Sequence, residues 1–250
     1  MNEEEKLLIA KTQDLFRLCD KHCTAQFSFF LNEAQIALIQ KEIGAKLGYN
    51  CRYFGGYEDA CRCMLGVFPE WCEPLDESFP IKAIKIKKSF SKELTHRDYL
   101  GSVMANGITR EQVGDILVDD DIAYIFITED MADFVCGGLS KIGNTGVKAV
   151  VSEAKDITPP EQKFQIINTV CASKRLDAVV ASMLKLSRKE ASGLIVGGAV
   201  SVNHLPVSDT SRSLKPEDII SVRGYGRYVF YSVGEETRSG RIHITVKKYI

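Results

Sequence analysis

Between Ser187 and Asn203 the sequence leaves little structural choice. Ser187 is a helix N-cap, and Glu190 three residues later completes a capping box. Ala191, Leu194 and Ile195 then share one face at helical spacing. Gly197-Gly198 ends the helix. Val200 and Val202 alternate around Ser201 as a strand, and Asn203-His204 makes a turn. Upstream, Ser173 and Lys174-Arg175-Leu176-Asp177 lead into an apolar stripe at Val179, Val180, Met183 and Leu184, which predicts another short helix. Downstream, the strand Asp218 to Val222 runs into Arg223-Gly224-Tyr225-Gly226-Arg227. Two short helices against a strand make one small core. Arg188 and Lys189 fall in the first turn of the second helix, where free backbone N–H groups and the helix dipole already favour an anion. Lys174, Arg175, Arg212, Arg223 and Arg227 can extend that surface. The glycines beside Tyr225 allow close approach, and its ring can stack on an unpaired base.

Charge points the same way. The chain of 250 residues has a net charge of −1. From Cys171 onward, however, it carries 13 Lys or Arg against 7 Asp or Glu, a net of +6, so the first 170 residues hold −7. A basic module on an acidic body suits a polyanionic partner. With 45% hydrophobic and 26% charged residues the composition is that of a globular protein. No apolar run approaches the roughly 18 residues of a membrane span. The acidic start, Met1 to Lys6, is no export signal. A cytoplasmic location without membrane contact is expected. The eight cysteines then read as reduced thiols. Cys19 and Cys23 have an acceptable spacing for zinc, but Cys61 and Cys63, the other pair such a site would need, are separated by only one residue, which argues against it. No metal and no cofactor is expected.

The remaining chain reads as α+β. Helices are expected over 3–22, with a stripe at Leu7, Leu8, Leu15, Phe16 and Leu18, and from Glu33 to Ile43 behind the N-cap Asn32. Tyr49 to Pro69 shifts to aromatics and β-formers around the Gly55-Gly56 turn. A second block follows from Phe79. It has a strand through Ile81, Ala83 or Ile84, and Ile86, a helix from Asp98 to Asn106, and a hairpin of 115–118 and 122–128 about Asp119-Asp120-Asp121. A helix from Glu129 to Ile142 and a strand from Val147 to Val151 complete it. This β-α-β-β-α-β order is ferredoxin-like, the arrangement of RNA-recognition domains. Ser152 to Lys163, with Pro159-Pro160, reads as a linker before the strand Phe164 to Val170. The expected domains are an N-terminal α/β region over 1–75, an RNA-recognition-like domain over 76–155 and an RNA-binding domain over 164–250.

Arg175-Leu176-Asp177, then Ser187-Arg188 through Gly198-Ala199-Val200-Ser201-Val202-Asn203, resembles the alpha-L RNA-binding motif, the domain of small-subunit ribosomal protein "S four". One departure is Gly193, a helix-weakening residue expected to permit close packing. Gly55-Gly56-Tyr57 with Ala60 and Arg62, Leu94 to Gly101, Arg110-Glu111, Gly114-Asp115-Ile116 and the Arg223 to Arg227 segment together resemble the bacterial YlmH family over nearly the whole chain. Cys61 departs from its first motif. The resemblance implies binding to rRNA and tRNA on the large ribosomal subunit, in rescue of stalled nascent chains.

Several residues carry two readings. Lys85, Lys87 and Lys88 are either a solvated strand face or a second RNA surface with His96, Arg97 and Arg110. In His96-Arg97-Asp98, Asp98 caps the following helix or its two neighbours touch RNA; no Gly-rich loop precedes it and no DFG follows, so it is no kinase loop. Arg175 pairs with Asp177 or a neighbouring carboxylate, or else with phosphate, and Asn203 shapes its turn or meets RNA. Lys247 and Lys248 read as solubility charges. The upstream residues carry no nucleophilic-Asp motif of a pseudouridine synthase, the enzymatic alternative, and Gly137-Gly138 lies inside a predicted helix rather than in a cofactor loop. A non-catalytic RNA-binding factor without a small-molecule substrate is therefore expected, with no catalytic residue.

Overall fold

Asn2 and Asn32 each start a helix by accepting a hydrogen bond from a backbone N–H three residues on, while the side chain at that position bonds back. The computed structural model describes residues 1–44, 50–88, 94–119, 121–160 and 163–250. Tyr49, Asp120 and linker residues 161–162 lie outside these. The chain divides into two compact units, Met1–Pro160 and Glu161–Ile250.

In the first unit, α1 (Glu3–His22) and α2 (Glu33–Ile43) pack on a three-stranded antiparallel sheet of β1 (Gln26–Phe27), β2 (Asn50–Phe54) and β3 (Met64–Phe68), in the order β1-β3-β2. Every residue of β3 is buried because both of its faces are covered. Leu65 and Val67 meet Phe16, Cys19, Ile39 and Ile43 in one cluster. Met64 and Phe68 join another with Phe30, Phe79, Ile81, Ala83 and Phe126. That second cluster ties residues before position 75 to the following sheet.

The following sheet comprises β4 (Ile81–Lys88), β5 (Val113–Val118), β6 (Ile122–Thr128), β7 (Lys141–Ile142) and β8 (Thr145–Glu153), in the order β5-β6-β4-β8-β7. With α3 (His96–Ala105) and α4 (Glu129–Gly138) it forms the expected β-α-β-β-α-β arrangement, to which β7 is added. Ile84, Ile86, Ile125 and Ile127 pack on Tyr99, Val103, Ala132 and Val135 of the helices. On the opposite face, the N-terminal cluster covers Ile81, Ala83 and Phe126. Lys85 and Lys87 continue that face uncovered.

Two expected helix limits shift. Asp98 does not begin α3; Thr95 is its N-cap and Asp98 is the capping-box partner, which places His96 and Arg97 in the first turn. The helix expected to reach Ile142 ends at Gly138, because Lys141 and Ile142 pair with Gly146 and Thr145 as a hairpin.

The second unit is one six-stranded antiparallel sheet with two helices. Its strands are β9 (Phe164–Cys171), β10 (Val200–Val202), β11 (Leu205–Pro206), β12 (Asp218–Val222), β13 (Gly226–Glu236) and β14 (Ile242–Tyr249), ordered β11-β10-β12-β13-β14-β9. Helices α5 (Leu176–Leu184) and α6 (Arg188–Val196) bury Leu176, Val179, Val180, Met183, Ala191 and Ile195 against Val200, Ile220, Phe230 and Val246. The sequence reading lacked β13 and β14 as strands. Register shifts between Phe230 and Ser232, and between Val233 and Glu236, break the alternation by which a strand is recognised.

Gly56 and Gly114 sit where the N-terminal region meets the second sheet. A Cβ on Gly56 would lie 2.4 Å from Phe126, and the backbone there has φ +103°. A Cβ on Gly114 would lie 2.7 Å from Phe30. Gly56→Ala should therefore destabilise the first unit by about 2–4 kcal/mol, from overpacking and left-handed strain together. Urea unfolding checks this, and an unchanged midpoint would contradict it.

Candidate nucleic-acid interface

The basic surface of the second unit is organised around Asp177, in the first turn of α5 and only 5% exposed. Its carboxylate accepts from Arg175 Nε at 3.1 Å and Nη2 at 3.2 Å, from Arg188 Nη2 at 3.3 Å, and from the Ala178 amide at 2.9 Å. Burial on its own pushes the carboxyl pKa up. The hydrogen bonds and charges of the two arginines outweigh burial and hold it below the ordinary value. Both guanidiniums remain substantially open, with side-chain exposures of 43% for Arg175 and 54% for Arg188. Each is thus oriented from behind while its remaining N–H groups face water. Two positive charges over one negative leave the triad net positive, in a geometry that suits phosphate oxygens.

Backbone pairing brings further residues to this point. Leu176 and Asp177 donate to the carbonyls of Arg212 and Thr210, and Leu214 donates to that of Lys174. Lys174, Arg175 and Arg212 therefore lie on adjacent segments. Asp209, between them, is held low in pKa chiefly by the hydroxyl and amide of Ser211. Ser187 caps α6 as expected: its Oγ accepts from the Glu190 amide at 3.2 Å, and Glu190 accepts from the Ser187 amide at 2.8 Å. Lys189 is exposed beside Arg188.

The Arg223 to Arg227 turn belongs elsewhere on the unit. The Arg223 amide donates to the carbonyl of Ala199, just past the C-terminal end of α6. It therefore sits about 13 Å along the helix axis from Arg188, given a nine-residue helix. Tyr225 is 40% exposed between Gly224 and Gly226, both at positive φ. Arg227 lies over the Tyr249 ring at 5.3 Å. The expectation for Gly193 is corrected: nothing lies within 4 Å of a Cβ placed there, so close internal packing is not its reason. Asn203 shapes structure. At φ 49° in a two-residue turn, its side chain donates to Asp218 and accepts from the Ile219 amide.

The first unit treats its candidates unequally. Lys85 and Lys87 are exposed, and Lys85 lies 5.9 Å from the Tyr124 ring; Lys88 alternates to the other face and is half-buried. His96 and Arg97 are exposed in α3. Arg110 is directed inward, donating to the carbonyls of Val113 at 2.6 Å and Gly114 at 3.1 Å. Beside it Arg62 donates to the carbonyls of Val113, Phe30 and Arg110. Burial lowers the pKa of Arg62 to about 10. Asp115 accepts from the Tyr57 hydroxyl at 2.8 Å and the Cys61 amide at 2.7 Å. These motif residues fasten loops of the first sheet to β5. Among the described residues, no helix is long and apolar enough to cross a membrane, and no group of three or more His, Cys, Asp or Glu could hold a metal ion.

The family described as "Putative RNA-binding domain in YlmH" matches residues 74–167, and the S4 domain family matches residues 174–220. The two matches fall on the second sheet with its helices and on the start of the second unit. The resemblance read from the sequence holds, and the clamp at Asp177 lies inside the S4 match. A relative from Bacillus subtilis (strain 168), "Ribosome-associated protein quality control protein P2", is 26% identical over 247 residues, covering 98% of this chain and 96% of its own. A solved structure, "Cell division protein ylmH from Streptococcus pneumoniae", shares the fold with a TM-score of 0.53 at 21% identity, covering 62% of this chain and 95% of that one.

Asp177 was legible in the sequence as part of the alpha-L motif and as a possible partner of Arg175, but not as a partner of Arg188. Asp177→Asn should lower stability at pH 7 by about 1–3 kcal/mol, since charge-assisted bonds become neutral ones. A depressed carboxyl pKa stabilises above its unfolded value and loses that contribution as pH falls through the folded value. The difference between wild type and variant should therefore hold at neutral pH and shrink below about pH 4. Urea titrations at both pH values test this; a difference independent of pH would rule out the charged clamp.

Proposed function

We propose that this chain is a non-catalytic RNA-binding factor of the cytoplasm that acts on the ribosome. It binds rRNA and tRNA on the large subunit, in the rescue of stalled nascent chains. The observation that carries this reading is the Asp177 clamp. A nearly buried carboxylate holds two open arginines at the start of the S4 helices, with Lys174, Lys189 and Arg212 on the same or adjacent segments. The name of the Bacillus subtilis relative, which includes ribosome association and quality control, supports the setting. The net charge of +6 from Cys171 onward supports a polyanionic partner.

Phosphate is met by Arg175, Arg188 and Lys189, and by Lys174 and Arg212 beside them. The Arg223–Arg227 turn at the far end of α6 engages a more distant part of the same RNA, with Tyr225 stacking on an unpaired base. Lys85 and Lys87 on one face of the first unit's second sheet, and His96 and Arg97 of α3 on its other face, are further, weaker contacts. Arg110 adds no phosphate contact while its guanidinium stays on backbone carbonyls.

Replacing Arg188 and Lys189 together by Glu should abolish co-sedimentation with large ribosomal subunits while circular dichroism remains that of the folded protein. Wild-type binding should weaken steeply with salt, because neutralised phosphates release counterions. Full co-sedimentation by the double variant would overturn the assignment of this face. Loss of a single rRNA or tRNA modification on deleting the gene would overturn the non-catalytic reading.

A further inference from the structure

The sheet of the second unit has a face that the S4 helices do not cover. Tyr228, Phe230, Ile244 and Val246 point into the core with α5 and α6. By strand alternation Arg227, Val229, Thr245, Lys247 and Tyr249 point the other way, with Phe164 and Ile166 beside them on β9. Large apolar groups stand open on this side: Phe164 is 36% exposed, Tyr231 43% and Ile166 53%. They are not scattered. Phe164 packs on Tyr249 with ring centroids 4.9 Å apart. Lys247 Nζ lies 3.3 Å from the Tyr231 centroid and 5.7 Å from that of Phe164. Arg227 lies over Tyr249. The row Tyr231, Lys247, Phe164, Tyr249, Arg227 is one continuous array of rings and cations.

The geometry points to this face as a stacking platform for the unpaired bases of an RNA segment. The inference rests on the chain being an RNA-binding factor and adds a surface separate from the Asp177 clamp. Exposed rings on a sheet are surfaces on which any base can stack; Lys247 and Arg227, which lie over the Tyr231 and Tyr249 rings, move from ring to backbone phosphate when a base takes their place. Charge separates RNA from a protein partner. The paired rows from Phe164 and Tyr249 to Asn168 and Thr245 carry Arg227 and Lys247 and no carboxylate. Lys247 stands at the middle of the array, a position from which protein interfaces tend to exclude lysine. Arg227 also ends the Arg223–Arg227 turn, so a strand of RNA leaving that turn runs directly onto the rings.

The test uses the full chain with an unstructured oligouridine of about ten nucleotides carrying 4-thiouridine, a length one such platform spans. Photo-crosslinks should map to peptides holding Phe164, Tyr231 and Tyr249. Tyr231→Ala should weaken oligouridine binding by about fivefold or more, and Tyr231→Phe should restore it, since stacking needs the ring and not the hydroxyl. Lys247→Gln should reduce the slope of log affinity against log salt by about one. Each variant should still unfold cooperatively and stay folded at the assay temperature, because Tyr231 is 43% exposed and Lys247 lies outside the buried core, although Tyr231→Ala and Lys247→Gln both lose the contact of Lys247 with the Tyr231 ring. Crosslinks confined to α5 and α6, or unchanged binding by Tyr231→Ala, would overturn the platform, as would loss of a protein partner by that variant with oligouridine binding intact. If ribosomal subunits still bind in those cases, only the platform fails. If wild type binds neither subunits nor oligouridine, the underlying RNA-binding reading fails as well.

Discussion

Asp177 loses most of its hydration on folding, and only hydrogen-bonded cations make that tolerable. The requirement acts in both directions. The carboxylate needs Arg175 and Arg188. The arginines, long and otherwise mobile, are fixed by it at the beginning of α5 and α6. A surface arginine in water samples many rotamers, whereas one bonded from behind presents its outward N–H groups in a set direction. The arrangement links core to surface. Leu176 and Ala178, on either side of Asp177, are buried in the unit's apolar core, so packing of α5 positions the carboxylate and the carboxylate positions the charges.

The first unit solves a related problem with a different outcome. Asp115 accepts from Tyr57 and the Cys61 amide, while Arg62 and Arg110 donate to backbone carbonyls. There the polar groups face inward and fasten loops to β5, whose carbonyls would otherwise be unmatched. The same residue types serve as a staple in one unit and as an exposed clamp in the other. Exposure of the guanidinium decides which.

Most of the elements could be read from local signals. The Asn32 and Ser187 caps, the period of the apolar stripes and the β-α-β-β-α-β order act within a few residues, so they are visible in a linear string; the equivalent capping box at Asn2 was not read. The limits of α3 and α4 were misplaced because competing local bonds won. Thr95 took the cap, and Lys141 and Ile142 paired as a strand. Strands β13 and β14 escaped because bulges shift their inward and outward pattern.

The sequence by itself determined the helices of the basic module, their capped starts and the positions of Arg175, Arg188 and Lys189, since these depend on contacts a turn or two apart. It also carried the motifs of a YlmH-type chain. Only the tertiary structure decided which charges share a partner. Arg188 reaches Asp177 across eleven positions of chain, and Arg62 reaches Phe30 across thirty-two. The Arg223 turn lies at the far end of α6 because strand pairing sets it there. Tyr231, Lys247 and Phe164 meet because β9 pairs with β14 from the opposite end of the unit. Such pairings are set by sheet register and burial, to which neighbouring residues in sequence give no key.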